Sequence, residues 1–204
     1  SVSMNAAGDR LAIGARNNDG NGSNAGHVRI YDWNGTAWTQ LGADIDGEAA
    51  DDRSGYSVSM NAAGDRVAIG AYGNDGNGSS AGSGHVRIYD WNGTAWLQLG
   101  NDIDGEGAGD ASGHSVSMNA AGDRLAIGAW SNDGNGSSAG HVRIYDWNGT
   151  AWTQLGADID GEAAGDVSGY SVSMNAAGDR LAIGALNNDG NGSNAGHVRI
   201  YDWN

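Results

Sequence analysis

The stretch from Gly14 to Trp38, "GARNNDGNGSNAGHVRIYDWNGTAW", decides how the chain is read, because it comes back. It returns from Gly70 as "GAYGNDGNGSSAGSGHVRIYDWNGTAW", from Gly128 as "GAWSNDGNGSSAGHVRIYDWNGTAW" and from Gly184 as "GALNNDGNGSNAGHVRIYDWN". A second marker, "SVSMNAAGDR", starts at Ser1, Ser57, Ser115 and Ser171, which sets a period of 56 or 58 residues; the longer copy carries an extra Gly82–Ser83. Copies one and four differ over their 34 shared residues only at Arg16 against Leu186. A period near ~50 residues points to stacked units, a solenoid or propeller blades, rather than one irregular globule. The units are 1–56, 57–114, 115–170 and an incomplete 171–204, in a single array over 1–204.

Within each unit the apolar residues alternate. "SVSM" sets Val2 and Met4 against Ser1 and Ser3, "RLAIGA" sets Leu11 and Ile13 against Ala12 and Gly14, and "HVRIYDW" sets Val28 and Ile30 against Arg29, Tyr31 and Trp33. A period of two in β-branched and aromatic residues, with no helical stripe, predicts strands. We label them A (Ser1–Met4), B (Arg10–Ala15), C (His27–Trp33) and D (Ala37–Asp44, extending as far as Asp46). "NAAGD" reads as a tight turn and Asn34–Gly35 as a two-residue hairpin loop. That loop puts Tyr31 opposite Trp38 and Val28 opposite Leu41. Both faces of the sheet carry apolar groups, so both need covering by neighbouring copies. The expected fold is all-β: a β-propeller of four-stranded antiparallel blades in four repeats, the last lacking its outer strand.

Taken together, "DGEAADDRSGYSVSMNAAGDRVAIGA", "NDGNGSSAG" and "HVRIYDWNGTAWTQL" resemble the FG-GAP repeat of integrin α-chain propellers and of bacterial surface and secreted proteins. The resemblance covers every copy. It departs from the family at "SGYS" and "SGHS", where Phe-Gly is usual, and at Arg16, Tyr72, Trp130 and Leu186, where the family's motif has proline. It implies a propeller for adhesion or ligand binding, commonly calcium-stabilised, on a bacterial surface or outside the cell, and not an enzyme. The family holds its calcium in an Asp-rich loop between the first two strands; here that loop is only "NAAGDR".

Composition narrows the function classes. Glycine is abundant at 37 residues, while proline, cysteine and phenylalanine are absent, so no disulfide framework or thiolate metal site exists. Twenty-five acids face ten bases, all arginine, for a net charge of −15. Phosphate binding needs clustered basic residues, so this balance argues against a nucleic-acid partner and for cations or a basic surface. No apolar run approaches a membrane span.

In a meandering sheet, alternate connections share an edge, so the B–C loop and the D–A loop lie on one face of the ring. The variation sits there. Arg16 becomes Tyr72, Trp130 and Leu186; Arg53 becomes Ala111 and Val167; Tyr56 becomes His114 and Tyr170. Two readings are open for Arg16, Tyr72, Trp130, Leu186, Arg53, Tyr56, His114 and Tyr170. They form a ligand surface for a protein or glycan on a fixed scaffold, or they are exposed positions where nothing is required. Exposed aromatics such as Tyr72 and Trp130 favour the first.

The B–C loop also carries oxygen side chains at alternate positions: Asp19/Asn21/Ser23, Asp75/Asn77/Ser79, Asp133/Asn135/Ser137 and Asp189/Asn191/Ser193. Calcium takes six to eight oxygens, and Asp46, Glu48 and Asp52 of the D–A loop lie on the same face. The EF-hand pattern is not matched, and Asp, Asn, Gly and Ser are also the ordinary residues of solvated turns, so Ca2+ and turn chemistry both remain as expectations. His27, His85, His141 and His197 recur once per copy, which suggests packing rather than a shared ion. Near-identical copies offer no singular nucleophile–base pair. The expected function is therefore binding or adhesion through the acidic loop face; the alternatives are a structural repeat with no ligand and a lectin. Strand C of the last unit, unpaired on its outer side, is expected to invite self-association.

Overall fold

The protein is described by a computed structural model that covers residues 1–76 and 82–203. The described residues form strands and turns, with no helix long and apolar enough to cross a membrane. The first sheet holds β1 (Val2–Met4), β2 (Arg10–Ala15), β3 (His27–Trp33), β4 (Trp38–Gln40) and β5 (Ile45–Asp46). The second repeats it with β6 (Ser57–Met60), β7 (Arg66–Ala71), β8 (His85–Trp91), β9 (Trp96–Gln98) and β10 (Ile103–Asp104). The third holds β11 (Ser112–Met118), β12 (Arg124–Ala129), β13 (His141–Trp147), β14 (Trp152–Gln154) and β15 (Ile159–Asp160). The fourth has three strands, β16 (Ser168–Met174), β17 (Arg180–Ala185) and β18 (His197–Asp202). All pairings between these strands are antiparallel meanders, so four propeller-like blades follow one another along the chain.

Two expectations need correction, both in the outer hairpin. Strand D is not continuous from Ala37 to Asp44; it pairs with strand C as two short pieces, β4 and β5. Its register places Trp38 opposite Trp33, Gln40 opposite Tyr31 and Ile45 opposite Val28, so neither Trp38 nor Leu41 faces the predicted partner. The cause is Asn34. Its side-chain oxygen accepts hydrogen bonds from Thr36 N (3.0 Å), Thr36 Oγ1 (2.8 Å) and Ala37 N (2.9 Å), and its own N–H donates to Ala37 O at 3.1 Å. The loop therefore spans Asn34 to Ala37 rather than two residues; the pairs with β4 move by two, and the partner of Val28 moves by four, from Leu41 to Ile45. An even shift preserves the period, so the faces survive the error. The gained contact is Trp33 on Trp38, with ring centroids 5.6 Å apart.

The break in strand D has a neighbour's reason. Gly42 adopts φ +80, and a Cβ there would meet the ring of Trp91 in the next blade at 2.9 Å. The turn at Gly42 also exposes the Leu41 carbonyl, which accepts the Trp96 indole N–H at 3.1 Å; Leu99 and Trp152 repeat the bond one blade on.

The core lies between blades. One face of blade one (Ala12, Val28, Ile30, Ile45) packs on the other face of blade two (Val58, Met60, Val67, Ile69, Tyr89, Trp96). Blades two and three, and three and four, repeat this with equivalent residues. We call these the back face and the front face. Polar links of fixed direction join the same pairs. Arg10, bidentate to Asp32, reaches Gly64 O at 3.0 Å; Met60 N donates to Ser3 Oγ at 2.9 Å; Ala6 N donates to Ala62 O at 3.0 Å.

At the inner edge the backbones touch. A Cβ on Gly14, Gly70 or Gly128 of strand B would collide with the next blade's carbonyl of Gly55, just before β6, of Gly113 in β11 or of Gly169 in β16. Gly184 occupies the same repeat position, but a Cβ there meets only the Ser171 side chain closely. Neither Gly128 nor Gly184 needs a left-handed φ, so alanine at each tests the space alone. Gly128→Ala is expected to cost about 2–3 kcal/mol by forcing blades three and four apart, and Gly184→Ala about 0.5 kcal/mol or less. Urea denaturation of the two variants reads the difference, and equal losses would show that the close approach is not limiting.

Candidate functional site on the loop face

The B–C and D–A loops do share one face, and they are stitched together. Gly26 and Ser54 form a parallel bridge, as do Gly84 with Ser112 and Gly140 with Ser168. Asn21 donates its amide N–H to Gly47 O (2.8 Å) and Glu48 O (3.2 Å), and Asn135 does the same to Gly161 and Glu162. Asp19 accepts from Asn24 N, Asp133 from Ser138 N, Asp189 from Asn194 N and Asp75 from Gly82 N, each between 2.6 and 2.9 Å. Of the predicted calcium-loop residues, the aspartates thus close their own turns, while Asn21 and Asn135 tie to the D–A loop. Ser23, Ser137, Asn191 and Ser193 are exposed in the same loops, and Asn77 and Ser79 lie outside the described residues.

The variable positions converge. Tyr56, just before β6, His114 in β11 and Tyr170 in β16 stack in a row, with ring centroids 4.6 Å apart for the first pair and 4.8 Å for the second. Tyr72 and Trp130, which follow strand B, close on this row edge-on. Tyr72 lies 4.5 Å from Tyr56 and 5.8 Å from His114, and Trp130 lies 5.9 Å from His114. Two guanidinium groups cover the blade-one end: Arg16 sits 5.0 Å over the Tyr56 ring, and Arg53 donates to the Tyr72 hydroxyl at 2.6 Å. Leu186 is the outlier. It is exposed and lines a cleft of about 420 Å³ with Tyr170 and Val198. A larger cleft of about 750 Å³ lies at the other end, between Arg16, Tyr56 and Ser1.

The third variable position holds an unusual backbone. Arg53, Ala111 and Val167 all sit at positive φ (59, 58 and 60), each donating its N–H back to the B–C loop. Left-handed φ is costly for a β-branched residue such as valine. It persists here because both ends of the turn are tied to the neighbouring loop. Ala111 and Val167 are buried, whereas the Arg53 guanidinium lies 5.5 Å from the centre of the Tyr72 ring.

His114 is the hub. Burial lowers its pKa from the usual histidine value and the positive charge of Arg16 acts in the same direction, against a hydrogen bond at the Tyr170 backbone. Its Nδ1 and the Trp130 Nε1 are buried without a hydrogen-bond partner. Tyr56 is pushed up, first by burial and then by Tyr170.

A second constellation escaped the sequence reading. His27 lies 3.5 Å from Asp44 and 3.9 Å from Asp46; His85 lies 3.9 Å from Glu48 and 3.6 Å from Asp102; His141 lies 3.9 Å from Glu106 and 3.8 Å from Asp158. One imidazole and two carboxylates could ligate a divalent cation. Arg87 and Arg143, however, already set a guanidinium against the Glu48 and Glu106 carboxylates (3.4 and 3.7 Å). The register of strand C sets His27 against Asp46, but His85 and His141 pair with Asp104 and Asp160, so their cluster acids come from the residues before β10 and β15 and from the preceding blade's loop. His85 and His141 are lowered, mainly by burial and next by Arg87 and Arg143.

The chain matches no protein-family model and no curated protein.

The histidines fix a pH dependence. His85, His114 and His141 hold protons less readily folded than unfolded, so acid favours the unfolded chain. Stability is expected to be complete above about pH 6.5 and to fall as pH drops from there toward each folded pKa, by up to about 1.4 kcal/mol per pH unit for each histidine. His114→Tyr restores the residue of the neighbouring copies and should flatten the slope by one histidine. Denaturant midpoints between pH 7.5 and pH 5 (roughly one unit either side of the usual histidine value) test this, and an unchanged slope would refute the assignment to His114.

Proposed function

We propose that the protein is a non-catalytic binding scaffold of the cell exterior, which captures a protein or glycan through the aromatic and arginine-bearing cluster on its loop face. One observation carries the reading. Positions that differ among otherwise matching copies, Arg16, Tyr56, Tyr72, His114, Trp130 and Tyr170, meet in one surface cluster. Aromatic faces suit the C–H face of a sugar ring or an apolar side chain, and Arg16 beside Tyr56 suits an acidic group. The resemblance to adhesion propellers supports the placement outside the cell.

The experiment is a glycan and peptide array followed by affinity measurements on variants. Arg16→Ala and Leu186→Ala change exposed side chains and should leave the fold intact; Tyr72→Ala and Trp130→Ala remove anchors. Loss of binding by tenfold or more, about 1.4 kcal/mol, in Tyr72→Ala and Trp130→Ala supports the reading. No specific binder on either array sinks it. Calcium enters as an assisting ion on the same face. A chelator that lowers the thermal midpoint supports that part, and an unchanged midpoint removes calcium while leaving the aromatic site standing.

A second reading has its own observation. Tyr56, His114 and Tyr170 from successive blades rest on one another, so their variation also serves packing in a structural repeat with no ligand. Under it, Trp130→Ala lowers stability and the arrays stay empty.

A further inference from the structure

The three junctions between blades define which surface fits which. In each, a back face takes a front face, and the same polar links cross in the same direction. Two surfaces of this kind are uncovered. The front face of blade one leaves Val2 69% and Met4 50% exposed, where the equivalent Val58 and Met60 are 8% and 7%. The back face of blade four leaves Val198 65% and Ile200 68% exposed, where Val86 and Ile88 are fully buried. The ring is therefore not closed upon itself.

We propose that these two faces bind each other between molecules, so that a second copy of this chain docks its front face on the back face of blade four. The occupant is specified by more than apolar character. Across each internal junction the strand-A serine accepts from a methionine N–H of the next blade: Ser3 from Met60, Ser59 from Met118, Ser117 from Met174. Ser173 stands ready for Met4 of the second copy. The arginine of strand B donates to a glycine carbonyl ahead, from Arg10 to Gly64, Arg66 to Gly122 and Arg124 to Gly178. Arg180 is exposed and would take Gly8 of the second copy. Ala6, Ala62 and Ala120 likewise donate to Ala62, Ala120 and Ala176, which leaves the Ala176 N–H for Ala6 of the second copy.

The contact is heterologous, head to tail, and it does not use the open edge of β18. It is also smaller than the internal junctions. Among the described residues blade four has three strands and offers no counterpart of Ile45 or of the Leu41 carbonyl to Trp38 of the second copy. Association is consequently reversible and concentration-dependent rather than obligate.

The test is solution mass by light scattering over a dilution series, on the wild type and on two double variants. Val2→Glu with Met4→Glu blocks the front, and Val198→Glu with Ile200→Glu blocks the back; all four side chains are exposed, so circular dichroism should not change. The wild type should exceed the 20.7 kDa of one chain as concentration rises. Each variant alone should stay monomeric, and an equimolar mixture should give one species of twice the chain mass, since each supplies the face the other lacks. A wild type that remains monomeric, a mixture that remains monomeric, or a single variant that dimerises by itself overturns the proposal. Wild-type hydrogen exchange gives a readout that needs no substitution: the Met4 and Ala176 amides should slow with concentration, and concentration-independent exchange there counts against the contact.

Discussion

The constraint on which the structure depends is that no blade can bury both of its faces alone. Each sheet is apolar on two sides, and Ala12, Val28 and Ile30 become core only because Val58, Val67 and Ile69 arrive from the next repeat. At roughly 25 cal/mol per Å² of apolar surface removed from water, such junctions supply most of the drive to fold, and a lone repeat would lack it. The rest follows from bringing two sheets this close. Glycine is required at the inner edge, where strand B of one blade meets the backbone of the next, and at Gly42, where a neighbour's indoles lie against the turn. The directional bonds from Arg10, Ser3 and Ala6 then fix how far one sheet slides along another.

The same constraint accounts for the charge arrangement. Placing His85 and His141 at the start of strand C, beside a carboxylate of their own outer hairpin and one from the preceding loop, buries a titratable group at the first two junctions. Arg87 and Arg143 supply the opposing charge, and their own carbonyl contacts, to Asp46 and Asp104, run back to the previous blade. In blade one Arg29 turns instead to Asp44 of its own sheet, which draws that carboxyl below its usual range. One residue type thus makes an inter-blade link or an intra-blade one according to whether a neighbour is present.

At the axis the repeats stop being interchangeable. Equivalent positions converge there, and Tyr56, His114 and Tyr170 become mutual neighbours rather than three separate surface residues. A scaffold whose copies match at most other positions therefore gathers its aromatic differences in one small volume. That concentration of difference is what makes the loop face the place to look for recognition.

The strand order, the period-two faces, the turn at "NAAGD" and the sharing of one side by the B–C and D–A loops were all legible in the sequence. They rest on local alternation and on a repeat that prints the same pattern again. The variable residues were legible as a set too, since only comparison among copies was needed. The outer hairpin was not: Asn-Gly suggested a two-residue loop, and only the three hydrogen bonds gathered by the Asn34 side chain show that the loop is longer and the register two residues away. Nor could the chain text reveal that the aspartates of the Asp–Gly–Asn–Gly–Ser loops close on their own amides, that histidine and carboxylates meet at each junction, or that seven of the variable side chains form one packed cluster. Alternation determines which face a residue takes, because it depends on neighbours in sequence. What touches that face depends on residues more than fifty positions away (the Ser57 hydroxyl reaches Gly113 O across 56), and only the stacking of blades decides it.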